Sequence, residues 1–201
     1  MIEVQIEPAS GAEADVAASL SFMAYHEFSY DIFGKVGERA ATEYFKRLWL
    51  HGENRFGYKY SYIAKVRGNT VGIMTCYPSP YIKTLTLPTF WQLMHVGGAT
   101  FLFHFLAHLS NFYHFSSTRE FHADEFYVAT LSVLPEYRGM GIGGHLLRHA
   151  FRLTLEQVCT HCTLHVNADN EGGIRFYERN GFIKDSPLSQ QPAYFRMVYS
   201  L

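Results

Sequence analysis

Cysteine is scarce in this chain. Cys76, Cys159 and Cys162 are an odd set of three, which gives no disulfide framework and implies a reducing, cytoplasmic setting. A basic excess is absent too. Seventeen Lys and Arg stand against 18 Asp and Glu, for a formal net charge of −1, and no Lys/Arg-rich run occurs. That balance argues against nucleic acid as the main partner. The opening Met-Ile-Glu-Val-Gln-Ile-Glu has neither the cationic nor the apolar segment of a signal peptide. No internal repeat or low-complexity linker is visible. Charged residues are only 17% of the chain, and from Thr84 to Thr118 there are none. What the chain does have is apolar mass: 48% of 201 residues, enough for a full core in a single domain over 1–201.

The hydrophobic periodicity gives a coarse order of elements. Ile2–Ile6 alternates as a half-buried strand does, Ala12–Phe28 has the composition of a helix, and Glu38–Leu50 reads as a second helix. Ser61–Val66 and Thr70–Cys76 read as a hairpin, with Gly68 and Asn69 supplying the positive φ that a tight turn needs. Strand character returns at Phe126–Val133, and a helix follows over about Ile142–Val158. Leu164–Asn167 is a short strand, Gly173–Arg179 a short helix, and Tyr194–Tyr199 a closing strand. An early hairpin and a late strand–helix alternation imply a mixed sheet flanked by helices.

The segment Leu131–Gly144 carries the strongest functional signal. A strand-like run ends at Pro135, and Gly139, Gly141, Gly143 and Gly144 crowd the start of a helix behind Arg138. Such a turn leaves amides unpaired at the positive end of a helix dipole, which suits a phosphate or pyrophosphate. Gly139-x-Gly141-x-x-Gly144 also fits the dinucleotide pattern. That pattern, however, belongs in an early βα turn, with an acid about twenty positions on. Val158–Leu164 offers no acid, and no Gly-Lys-Ser/Thr follows to make a P-loop.

Val133-Leu134-Pro135-Glu136-Tyr137-Arg138-Gly139-Met140-Gly141-Ile142-Gly143 resembles the acyl-CoA-binding motif of the GCN5-related N-acetyltransferases. Asn170-Glu171-Gly172-Gly173-Ile174-Arg175-Phe176-Tyr177, running on to Gly181-Phe182, resembles that family's second signature. Gly173 departs from it, since alanine is usual there. The resemblance implies an α/β (α+β) fold, a mixed, mostly antiparallel central sheet flanked by helices; a helical insertion at about 80–122 departs from it. The resemblance also implies acetyl-CoA as acyl donor, no metal, and a small-molecule or peptide amine as acceptor. The pyrophosphate would sit on the amides of Arg138, Gly139, Met140, Gly141, Ile142 and Gly143. The pantetheine arm would meet the backbone of Leu131 and Val133 and the side chain of Asn170. Tyr177 would be the general acid and Glu125 the general base, with Asp124 and His122 as neighbours. Arg148 or Arg175 would be available to the 3′-phosphate. A chain that kept the fold but lost catalysis would instead be an acyl-CoA-binding sensor.

The uncharged, aromatic stretch 84–118 has nearly the length of a membrane span, but Gly97-Gly98, Pro88 and several polar side chains interrupt it. We read it as a pair of apolar helices, around Thr89–His95 and Ala99–Tyr113, covering the acceptor site or forming a homodimer face. His104 and His108 share a helical face without a third metal ligand, and Cys159, His161 and Cys162 form a cluster without a second half. Cys76 fits a buried strand position.

Overall fold

The computed structural model describes residues 2–107, 121–188 and 191–201. In chain order the elements are β1 (Gln5–Pro8), α1 (Ala14–Ala24), α2 (His26–Phe33), α3 (Glu38–His51), β2 (Ser61–Val66), β3 (Asn69–Pro78) and α4 (Pro80–Ala107). They continue with β4 (Glu125–Val133), α5 (Ile142–Glu156), β5 (His161–Asn167), α6 (Glu171–Arg179), β6 (Ile183–Leu188) and β7 (Gln191–Ser200). The strands form one seven-stranded mixed sheet in the order β1-β2-β3-β4-β5-β7-β6. Every neighbouring pair is antiparallel except β4 and β5.

Helices cover both faces because the strands alternate. Met74, Cys76, Phe126, Val128, Cys162 and Leu164 point to one side and bury against Ile142, Leu146, Leu147 and Ala150 of α5. Ile63 and Ile73 point to the other, where Ala14, Ala17 and Leu20 of α1 and Trp49 of α3 close over them. Beyond α1 lies an aromatic core of Phe33, Phe45, Phe56 and Phe101, which ties α2, α3 and α4 together. Truncating one of the fully buried aliphatic residues, such as Leu146, costs about 2–5 kcal/mol.

Several local expectations are revised. The helix expected over Ala12–Phe28 is two helices, parted at Tyr25 (φ −111°, ψ 20°). The hairpin turn takes positive φ at Arg67 (51°) and Gly68 (79°), and Asn69 is already strand, paired with Val66. Helix α4 begins at Pro80, ahead of the uncharged stretch, and runs through Pro88, with its break at Gly98 (φ 55°, ψ −141°). Near Pro88 the buried Thr89 hydroxyl donates to Leu85 O (2.6 Å) and accepts from the Arg55 N–H (3.1 Å). The part of that stretch that includes His108 and Tyr113 lies outside the described residues. Strand β6 was not expected, since Pro187 and the charged Lys184 and Asp185 disguise it. It is tolerated as the edge strand of the sheet. Among the described residues, no helix is long and apolar enough to cross a membrane.

Candidate active site

The feature that opens the site is the short parallel pair. β4 and β5 are in register only from Glu125↔His161 to Val128↔Leu164, after which the two strands part. At the same level β4 carries a bulge. Thr130 faces Thr75 and Val128 faces Cys76, so Ala129 is the extra residue. From Thr130 to Val133, β4 is paired to β3 alone, and from Ala129 onward its other edge faces a cleft of about 1210 Å³.

The glycine turn forms one end of this cleft. Gly139 and Gly141 have φ of 77° and 82°, values costly for any residue with a side chain. Gly141 caps α5 with no side-chain hydrogen bond, so the first amides of the helix are left for a ligand. Gly143 has a different reason to be glycine. A Cβ there would come within 2.9 Å of the Phe176 ring, which packs α6 against the turn. Arg138 lines the cleft and donates from Nε to Val133 O (3.0 Å), tying the turn to the strand end. Arg148, in the second turn of α5, lines the same end. This set of free amides, a helix N-terminus and two arginines fits a pyrophosphate-bearing ligand.

The other end is aromatic and polar. Tyr127, His165 and Tyr177 line it, with Tyr25, Arg55 and Tyr77. Burial pushes the Tyr177 phenol up to about 12, so it holds its proton throughout the neutral range. Burial first, then the nearby Arg196 and Arg55 cations, push His165 down to about 3, so its imidazole is neutral. The ring of His165 lies against Phe121 and Tyr127, each 5.2 Å away, and its buried Nε2 has no hydrogen-bond partner among the described residues. Burial also drives the Cys76 thiol well above its ordinary range, which makes it an inert member of the core.

The structure brings Leu131, Val133, Arg138, Gly139, Gly141, Ile142, Gly143, Asn170 and Tyr177 together around the cleft. Met140 belongs to the turn, but it is 46% exposed and its side chain does not line the cleft. Asn170 Oδ1 accepts from the Gly173 N–H (2.9 Å), so this side chain caps α6. Glycine at 173 leaves room for that cap, because a Cβ would sit 2.7 Å from Asn170 Nδ2. Arg175 pairs with Glu171 and does not line the cleft.

Glu125 is not brought to the cleft. It is 2% exposed at the start of β4, where its carboxylate is ion-paired with Arg196, which also binds Asp185, and accepts from the Thr163 hydroxyl (3.4 Å). Asp124 lies nearby, bonded to the Thr160 hydroxyl (2.6 Å) and close to His161. His165 and Tyr127 were missed in the sequence. His165 sits one strand beyond the expected position of a base, and only the pairing of β4 with β5 reveals it. Cys162 points into the α5 core while His161 faces Asp124, so no metal cluster forms from them.

A sheet that parts beside a bulged strand, above a glycine turn that opens a helix, leaves a cleft with an anion site at one end and an aromatic wall at the other. The chain belongs to the Acetyltransferase (GNAT) family, whose model matches residues 23–182. It is 38% identical over 62 residues to the N-alpha-acetyltransferase MAK3 of Arabidopsis thaliana, covering 31% of this chain and 33% of that protein. It is 36% identical over 62 residues to N-alpha-acetyltransferase 30 of Xenopus laevis, covering 31% and 23%. The chain therefore spans about a third or less of the length of these curated relatives. In fold it is similar to an N-acetyltransferase from Staphylococcus aureus Mu50 (TM-score 0.71, 18% identity, 96% and 99% of the two chains). It is also similar to the PaiA N-acetyltransferase of Thermoplasma acidophilum in complex with coenzyme A (TM-score 0.58, 14% identity, 100% of both chains).

Proposed function

We propose that the protein transfers an acetyl group from acetyl-CoA to a primary amine by direct attack in a ternary complex. The observation that carries this reading is the open edge of β4, with the glycine turn at one end and Tyr177 at the other. The turn amides from Gly139 to Gly143 hold the pyrophosphate, since the Arg138 N–H, which the resemblance had included, already donates to Pro135 O (3.2 Å). The backbone at Leu131 and Val133 pairs with the pantetheine arm, which directs the thioester towards the point where β4 and β5 part.

The chemistry then follows from the groups there. The neutral amine attacks the thioester carbonyl carbon, the C–S bond breaks, the thiolate takes a proton from the Tyr177 hydroxyl, and the proton the amine gives up to water restores that hydroxyl. The neutral His165 imidazole is the acceptor for a hydrogen bond from the amine, or from a water that carries the amine's proton away. Glu125 has no part in this step, because its carboxylate is committed to Arg196. Cys76 has none either, so the acetyl group passes directly without a cysteine intermediate. The aromatic wall favours an acceptor whose amine is borne on an apolar group, such as a peptide N-terminus with an apolar first side chain.

The test is release of CoA from acetyl-CoA across a panel of free peptide N-termini and small primary amines. Amine-dependent release supports transfer. Tight CoA binding with no release on any amine would instead mark an acyl-CoA sensor.

A further inference from the structure

Tyr25 occupies the break between α1 and α2. Its N–H donates to Ser21 O (2.9 Å) and its C=O accepts from Ser29 N–H (2.6 Å), so both helices fix its backbone. Phe45 stacks on its ring at 5.9 Å and Phe56 meets it edge-on at 5.3 Å. So held, the hydroxyl reaches β4, lying 2.8 Å from Ala129 O and 2.6 Å from Thr130 Oγ1. A phenol has one proton and a carbonyl can only accept. Tyr25 therefore donates to Ala129, and Thr130 donates to Tyr25.

These two partners are the bulge itself. Ala129 is the extra residue, and Thr130 resumes the register opposite Thr75. A bulge removes one residue from the strand ladder and bends the strand, so its carbonyl needs another donor. Tyr25 is that donor. Burial pushes its phenol well above its ordinary value, which keeps the proton in place. The bulge is also where the β4–β5 pairing stops, so its conformation sets the direction of the open edge from Ala129 to Val133.

We propose that Tyr25 is a positioning residue for acyl transfer: its hydroxyl locks the Ala129 bulge, so that the open edge of β4 presents the thioester in one orientation. This rests on the acetyl-transfer reading of the cleft. Tyr25 acts through the backbone of β4, and the ring contacts that hold α1 to α3 do not require the hydroxyl.

The experiment compares wild type with Tyr25→Phe, which keeps the ring and removes only the oxygen. Two readouts are used: kinetics of CoA release on the best amine of the panel, and backbone amide exchange along β4. Misplacing a reacting group by a fraction of an ångström to an ångström is expected to lower kcat about 10- to 100-fold, with KM for acetyl-CoA and CoA affinity unchanged. Exchange at Ala129–Leu131 is expected to quicken while the rest of the sheet keeps its protection. Thr130→Val should show a similar loss, Thr130→Ser should restore most of it, and Tyr25→Phe with Thr130→Val should be no worse than either alone.

Unchanged kcat, unchanged exchange at the bulge, or a loss confined to acetyl-CoA binding would each overturn the proposal. A wild type that releases no CoA on any amine would overturn the acetyl-transfer reading, and the positioning role with it. A Tyr25→Phe defect against an active wild type leaves that reading intact, so the two failures are distinct.

Discussion

Glu125→Gln should cost stability and leave turnover largely in place. Glu125 is 2% exposed, and its carboxylate is bound by the Arg196 guanidinium, itself nearly buried. Removing one partner of a buried ion pair costs about 3–5 kcal/mol, because the remaining charge is left uncompensated. Two features reduce that figure here. Asp185 keeps its own bond to Arg196, and a glutamine oxygen still accepts from the guanidinium while its amide N–H donates to the Thr163 hydroxyl. The net loss is therefore about 2 kcal/mol, which for a chain of this size lowers Tm by about 4–8 °C. The assay is thermal unfolding followed by circular dichroism, with CoA release measured well below the transition. A variant with unchanged Tm and a kcat reduced by orders of magnitude would refute the reasoning and return Glu125 to the role of base.

Tyr177→Phe should lower kcat about 100-fold while CoA binds as in wild type by calorimetry. Equal turnover would remove the phenol from the mechanism. The pH profile has a definite sign. Only a neutral amine attacks, so kcat/KM for the amine should rise about tenfold per pH unit up to the acceptor's own pKa, about 8 for a peptide N-terminus. His165, pushed down to about 3, is already neutral and adds no second acid limb in the working range. Tyr177, pushed up to about 12, keeps its proton, so no alkaline fall is expected below about pH 11. An alkaline limb near pH 9 that disappears in Tyr177→Phe would contradict the environment assigned to that phenol.

The parts of the fold with strong local signals were legible in the sequence. The hairpin, α3, β4, α5 and the glycine turn stand near their expected places, because periodicity and glycine chemistry act over short distances. Elements whose stability comes from distant partners were not. β6 is written in residues that disfavour strands, yet it forms because β7 offers a ladder to pair with. The break at Tyr25 has no glycine or proline to announce it. It becomes intelligible only when the hydroxyl is seen to reach Ala129, 104 positions away. The glycine-turn end of the candidate site was readable for a similar reason. Its amides are consecutive, whereas the aromatic end is assembled from the α1–α2 junction, Arg55, β3, β4, β5 and α6. Glu125 shows the limit most clearly. An acid at the start of β4 suggested a base, but alternation turns its carboxylate towards Arg196 on β7, a neighbour that the sequence does not announce.

Binding of coenzyme A by the turn from Arg138 to Gly143 and the open edge of β4 is checked by titrating CoA into isotope-labelled protein and following the backbone amide resonances. Saturable shifts concentrated at Gly139–Gly144, with a second group at Leu131–Val133, are expected. Absence of binding, or saturable shifts that leave the glycine turn untouched, would contradict this mode of binding.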